Sequence, residues 1–258
     1  MITKLLVLFL APLLSGLLIY LVPKGKNNNY KLLLVFAGAY LFSITVSHIL
    51  PGLYTEYDDV QLIGIFVLAG FFLQLVLEYF TSGIEHGHIH DHGPHDHHHD
   101  HGHHHHRHTS VLSAFVLLMA LCIHAFLEGA MLAQPTEGGS VYNVNAVLLG
   151  IVLHRAPAAF ALMTVLVHQL GSMRKAMLYL IGFSLAAPIG LLLSSYLSAQ
   201  EVISRNGLVY LYALVCGNFL HISTTIVFES SPEHRFNALK LVAVLIGAIT
   251  AVGVEYLT

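Results

Sequence analysis

The chain has 258 residues, of which 56% are apolar and only 10% are charged, and its formal net charge at pH 7 is −3. Soluble globular domains carry about 25% charged residues, so this composition, with a mean hydropathy of +0.72, excludes that class. The composition predicts a polytopic membrane protein.

Eight apolar runs are long enough to cross a bilayer as helices, since about 20 apolar residues span its hydrocarbon core. They cover residues 5–22, 32–54, 61–80, 110–133, 145–170, 176–198, 208–229 and 236–256. No small-residue cleavage site follows the first run, so we interpret it as a span rather than a signal peptide. The predicted fold is an all-α bundle with helices 1–3 in residues 1–80, helices 4–8 in residues 110–258, and a loop at 81–109 between them.

The distribution of basic residues predicts the orientation, because Lys and Arg are enriched in short cytosolic connections. With the N terminus outside, only Lys4 and Arg205 fall on the outer side, and Arg155 lies within a span. The other eight fall on the cytosolic side: Lys24, Lys26, Lys31, Arg107, Arg174, Lys175, Arg235 and Lys240. We therefore expect a multi-pass protein of the plasma (inner) membrane with both termini outside and the 81–109 loop in the cytosol.

The cytosolic loop is rich in histidine and has no apolar periodicity, which predicts disorder. Its histidines are His86, His88, His90, His92, His95, His97, His98, His99, His101, His103, His104, His105, His106 and His108. Neutral imidazoles bind zinc, copper or nickel. An expression tag or a soluble spacer are the alternatives, and the internal position with interspersed Asp and Gly disfavours a tag. The loop is interpreted as a metal-buffering or metal-sensing segment.

Two apolar spans carry ionisable side chains, which inside a membrane usually face the protein interior and mark an ion path. His124 and Glu128 in span four are four residues apart, so they share one helix face. His154 lies in span five, and at a rise of 1.5 Å per residue both histidines fall about 13 Å below the outer boundary. Imidazole and carboxylate ligands suit zinc and its first-row neighbours. The spacing predicts one metal site shared by the two spans.

Five further residues are candidates for the pathway. Pro157 removes a helix hydrogen bond and is expected to kink span five beside the site. His221 completes the coordination, forms an inner exit, or makes a hydrogen bond between helices. His48 is an entrance ligand or an interfacial side chain. Glu78 and His168 lie near inner span ends, where they hand metal to the loop or are simply solvated.

The arrangement resembles the ZIP family of divalent-metal transporters. Span four has that family's His-x-x-x-Glu-Gly pattern over 124–129, and span five begins its motif with His154. The His48-Ile-Leu-Pro51 end of span two, the Leu77-Glu78 pair, the His-rich loop and the eight spans also fit. The resemblance implies an eight-helix bundle, uptake of metal into the cytosol and a homodimer.

The chain departs from the family pattern after the span-five histidine. Many ZIP proteins hold a two-metal centre with acidic residues there, whereas this chain has Arg155, Ala158 and Ala159. One branch, similar to the animal plasma-membrane zinc importers, has a basic residue followed by an Ala-Phe pair, and this chain looks like that version. Arg155 either stands where a second metal would lie or pairs with Glu128 and seals the pathway. If Arg155 seals the pathway, the chain is a metal-sensing or degenerate ZIP-like protein.

The expected function is transport of a divalent metal through a mononuclear site of His124, Glu128 and His154. Zinc is the first choice of substrate, with Fe2+, Mn2+ and Cd2+ as alternatives, and no organic cofactor, nucleic-acid partner or enzymatic activity is expected. Two rival functions make different demands on the chain. A diffusion-type cation exporter has six spans and a cytosolic domain. An intramembrane metallohydrolase needs a closed zinc centre with a water-activating position.

Overall fold

The structure is a computed structural model that describes residues 1–20, 29–57, 59–81, 111–134, 141–229 and 238–257. Within these ranges the regular structure is helical and contains no strand, which confirms the predicted all-α class. The helices are α1 (Ile2–Leu17, extended by a 3-10 turn at Leu18–Tyr20), α2 (Asn29–Ile44), α3 (Leu50–Glu56), α4 (Val60–Thr81), α5 (Val111–Met131), α6 (Val144–Leu170), α7 (Met173–Ala199), α8 (Arg205–Glu229) and α9 (Ala238–Leu257).

Seven of the eight predicted spans are long and apolar enough to cross a membrane. They correspond to α1, the α2–α3 pair, and α4 to α8, which confirms a multi-pass membrane protein. The eighth prediction, 236–256, corresponds to α9, whose apolar stretch Ala238–Val254 is shorter within the residues searched. The His-rich loop lies outside the described residues apart from Thr81, which ends α4. The orientation of the termini stays a prediction.

A π-helical turn, Thr45–Ile49, joins α2 to α3. Pro51 lacks a backbone N–H and cannot complete the usual helical bond to the carbonyl of Ser47. The helical turn before the proline is wider than an α-helical turn, since the N–H of Leu50 donates to the carbonyl of Thr45, five residues back. Single π-turns of this kind re-aim side chains inside long helices, and here the turn carries His48.

The helices pack in two groups. The first group contains α1, α5, α6 and α7, and the second contains α2, α3, α4, α8 and α9. In the first group the backbones of α5 and α7 touch, because a Cβ on Gly129 would lie 1.9 Å from the carbonyl oxygen of Ala187, and one on Gly190 would lie 2.1 Å from that of Phe126. Small residues permit this close approach of membrane helices.

The two groups share one hydrophobic core at the end of the bundle where α5 ends and α6 begins, which we call the α5–α6 end. That core combines Met131 and Val147 of the first group with Tyr40 and Tyr212 of the second. All four side chains are buried. The groups are therefore tightly joined at this end.

The opposite end, where α6 ends and α7 begins, is packed differently. The first group has a core of its own there, built around Leu117, Leu162 and Phe183. The second group has a smaller core that contains Leu34 and Ile226. The two groups thus have separate cores at this end and a common core at the other.

We predict that Gly190→Ala destabilises the protein, since its new methyl group would collide with the backbone of α5. Overpacking typically costs about 1–3 kcal/mol, and backbone relaxes less easily than a side chain. Thermal unfolding in detergent measures the effect. Gly182→Ala is the matched control, because nothing lies within 4 Å of a Cβ at that position of the same helix. Equal melting temperatures for the two variants would contradict the packing argument.

Candidate metal centre

Three buried side chains converge in the first helix group: His124 and Glu128 of α5 and His154 of α6. One ligand atom from each lies within 4.8 Å of the other two. His124 Nε2 is 3.2 Å from Glu128 Oε1, and the two imidazole rings meet edge to face with their centroids 5.8 Å apart. The exposed fractions of His124, Glu128 and His154 are 2%, 0% and 1%. Two imidazoles and one carboxylate form a ligand set typical of an open zinc site.

The local sequence explains the convergence. A spacing of four residues puts His124 and Glu128 on one face of α5, and a short connection makes α6 the antiparallel neighbour that follows it. His124 lies seven residues before the end of α5 and His154 lies ten residues after the start of α6. The sequence predicted a distance of nine residues from the helix end in both cases. The difference is less than one helical turn in each helix, so the two rings still lie next to each other.

Arg155 lies against the triad but is held mainly by α7. Its Nη2 donates a hydrogen bond to the carbonyl oxygen of Phe183 at 3.0 Å, and its guanidinium carbon is 4.7 Å from the centre of the Phe183 ring. Its Nε is 3.7 Å from Glu128 Oε2, which is ion-pair distance but longer than a hydrogen bond. The arginine thus faces one carboxylate oxygen, and His124 faces the other.

The charges of the centre follow from this arrangement. With neutral imidazoles, the formal charges of Glu128 and Arg155 cancel, so the four side chains together are neutral. A divalent cation at the triad raises the total to +2 in surroundings that contain little water. The fixed arginine therefore weakens cation binding relative to a site with the same ligands and no cation beside them.

Helix α6 continues through Pro157 from Val144 to Leu170. Beside the proline, the hydroxyl of Ser15 in α1 donates to the carbonyl oxygen of Ala156 at 2.5 Å. This contact ties α6 to α1 within the first group, two residues beyond His154. The predicted kink at Pro157 stays a prediction.

Glu78 and His221 do not join the triad but meet each other across α4 and α8. His221 Nδ1 is 3.4 Å from Glu78 Oε2, and the His221 ring packs edge to face on Phe71 with centroids 4.8 Å apart. Gln74 and Asn218 are fully buried about one turn away on the same two helices. This pair forms a second polar cluster, in the second helix group. Sequence reasoning missed Gln74, although its spacing of four residues from Glu78 in an apolar helix was a usable signal.

The other candidate residues lie elsewhere. His48 is at the α5–α6 end, where its Nε2 accepts a hydrogen bond from the backbone N–H of Asn143 at 2.9 Å. His168 is exposed near the last turn of α6, at the opposite end. The 14 loop histidines from His86 to His108 lie outside the described residues.

The sequence was compared with known proteins. The family model for the ZIP zinc transporter matches residues 1–255. Zinc transporter ZIP9 of Macaca fascicularis is 32% identical over 113 residues, which cover 41% of this chain and 47% of that protein. Zinc transporter ZIP9 of Xenopus tropicalis is 31% identical over 113 residues, or 41% of this chain and 36% of that protein. Protein zntD of Dictyostelium discoideum is 27% identical over 169 residues, which cover 64% of this chain and 23% of that protein. The chain spans less than half the length of these relatives.

The buried ion pair gives a stability prediction that needs no metal. Glu128→Gln leaves the Arg155 charge without its carboxylate, and breaking a buried pair in this way typically costs about 3–5 kcal/mol. The contacts of Arg155 with Phe183 place our expectation at the lower end of that range. The double variant Glu128→Gln/Arg155→Met should recover most of the loss in thermal unfolding. If the single and double variants melt alike, the ion pair does not contribute as argued.

Proposed function

The chain belongs to the ZIP zinc transporter family, and from this premise we propose that it carries zinc across a membrane through the site of His124, Glu128 and His154. The observation that supports this function is the convergence of the three buried donors in the interior of helices that are long enough to span a bilayer. A transporter must bind its ion firmly enough to select it and loosely enough to release it. Three protein ligands with room for a fourth meet that need better than a closed tetrahedral site.

Arg155 is proposed as a tethered cation that tunes the site. The hydrogen bond and ring contact with Phe183 hold the guanidinium on α7, so it can stay in place while Glu128 binds a metal. Its proximity weakens zinc binding and thereby favours release. The competing function, a sealed metal-sensing protein, is favoured by the 3.7 Å contact between Arg155 and Glu128.

The proposed path runs from the α5–α6 end, through the triad, towards the Glu78–His221 pair and the loop histidines. The α5–α6 end faces outside if the basic residues mark the cytosol. Imidazole and carboxylate in the second polar cluster repeat the ligand chemistry of the triad. Metal released from the triad would meet this pair and then the many histidines of the loop. The exposed position of His168 suits a solvated side chain rather than a ligand.

The remaining parts of the proposal concern direction, location and partners. Transport is inward, in a plasma (inner) membrane, with both termini outside. Zinc is the substrate, Fe2+, Mn2+ and Cd2+ are alternatives, and the protein acts as a transporter rather than an enzyme. A homodimer and the absence of an organic cofactor complete the proposal.

Uptake measurements test the site. We expect His124→Ala, Glu128→Ala and His154→Ala to lower zinc uptake into proteoliposomes by about 100-fold. Loss of an outer-shell partner already lowers metal affinity by about 10- to 100-fold, and these three residues are the ligands themselves. His168→Ala, an exposed histidine on α6, is the matched control and should retain uptake. A deletion of 86–108 should change the rate or its regulation and leave transport possible. Full uptake by Glu128→Ala would refute the site assignment.

Arg155→Gln separates the tuned transporter from the sealed protein. Removal of the charge should tighten zinc binding by roughly tenfold or more, measured by calorimetry on purified protein. In a tuned transporter the wild type transports zinc and the variant releases it more slowly, so maximal uptake falls. In a sealed protein the wild type transports little and the variant gains uptake. Arg155→Lys keeps the charge and is the control, and unchanged affinity in Arg155→Gln would remove the electrostatic role.

A further inference from the structure

Two tyrosine hydroxyls join the helix groups at the α5–α6 end. Tyr40 of α2 donates to the carbonyl oxygen of Ala146, in the first turn of α6, at 3.0 Å. Tyr212 of α8 donates to the carbonyl oxygen of Ala133, just beyond the end of α5, at 2.5 Å. Both tyrosines come from the second group and both acceptors from the first. The carbonyls that follow a helix C terminus need such partners when they are buried.

A third contact of the same kind comes from the π-turn. His48 accepts the backbone N–H of Asn143, and the Asn143 side chain in turn accepts the N–H groups of Asn145 and Ala146 as the N-cap of α6. The second group thus holds the residue that caps α6. Gly52 of α3 lies close by, since a Cβ there would be 2.6 Å from the carbonyl oxygen of Val141.

All three hydrogen bonds end on backbone atoms of Ala133, Asn143 and Ala146, which lie just after the end of α5 and at the start of α6, the two helices that carry the triad. The end of α5 and the start of α6 have to separate from the second group before the triad can be reached from the α5–α6 end, because the shared core and these bonds join them to it. At the opposite end the groups have separate cores. The structure is thus closed at the α5–α6 end.

We propose that Tyr40, His48 and Tyr212 form a latch, defined by these three side chains, that holds the end of α5 and the start of α6 against the second group and keeps the triad closed towards the α5–α6 end. This rests on the proposed function, in which that end faces outside and must open for zinc to enter. The three are positioning residues, since these three hydrogen bonds end on backbone atoms and not on the ligand atoms of the triad. The latch acts by setting the population of the state that is open at this end.

Tyrosine-to-phenylalanine variants test the latch, because they remove the hydroxyl and retain the buried ring. The reporter is His154→Cys in a background with Cys122→Ser and Cys216→Ser, which removes both native cysteines. A membrane-impermeant thiol reagent is applied to each face of sealed vesicles in turn. A net hydrogen bond changes a population by about two- to tenfold. We expect Tyr40→Phe and Tyr212→Phe each to raise labelling by that factor from one face only, and the double variant to raise it further.

Tyr210→Phe is the control. Tyr210 of α8 stacks on Phe66 of α4 with ring centroids 4.8 Å apart, so both residues belong to the second group. Removal of its hydroxyl leaves the three bonds of the latch in place, and its labelling should match the parent protein. The latch is overturned if the double variant labels no faster than the parent from either face, or if Tyr210→Phe labels as fast as the double variant. Labelling requires no zinc, so a failure here is separate from a failure of zinc uptake.

Discussion

The centre depends on one constraint, a carboxylate buried among apolar helices. Glu128 is completely buried, and an ionised carboxylate in such surroundings is tolerated only beside compensating charge. The structure places the Arg155 charge near one oxygen and the His124 imidazole, a polar partner that is neutral in this balance, near the other. A divalent cation would supply further compensating charge on the imidazole side. The geometry of the whole centre follows from the need to neutralise this one group.

Arg155 shows why the way a charge is anchored matters as much as its sign. A guanidinium that depended on Glu128 alone would compete directly with a metal for the carboxylate. Here a carbonyl and an aromatic face of Phe183 provide other favourable contacts, and cation–π contacts are stronger away from water. The arginine can therefore remain near the site at a modest cost when the carboxylate turns to a metal. This physical distinction separates a tuned site from a sealed one.

The features that could be predicted from the sequence are those encoded within one helix or between neighbours in the chain. Apolar length gave the spans, and the spacing of His124 and Glu128 with a short connection to α6 gave the triad. The Glu78–His221 contact could not be predicted, since nearly every face of these helices is apolar and periodicity does not specify that α4 packs on α8. The hydrogen bonds of Tyr40 and Tyr212 could not be predicted for another reason. Their acceptors are backbone carbonyls, and these carry no residue signature.

The division of the helices explains how one site could serve two sides of a membrane. His124, Glu128, His154, Arg155 and Phe183 all lie on α5, α6 and α7, within the first group. Backbone contacts at Gly129 and Gly190 fasten α5 to α7, so these helices cannot easily shift against one another. A displacement of the first group against the second would carry the ligands and the tethered cation together, without changing the coordination. What such a motion has to break is the packing between groups, which is concentrated at the α5–α6 end.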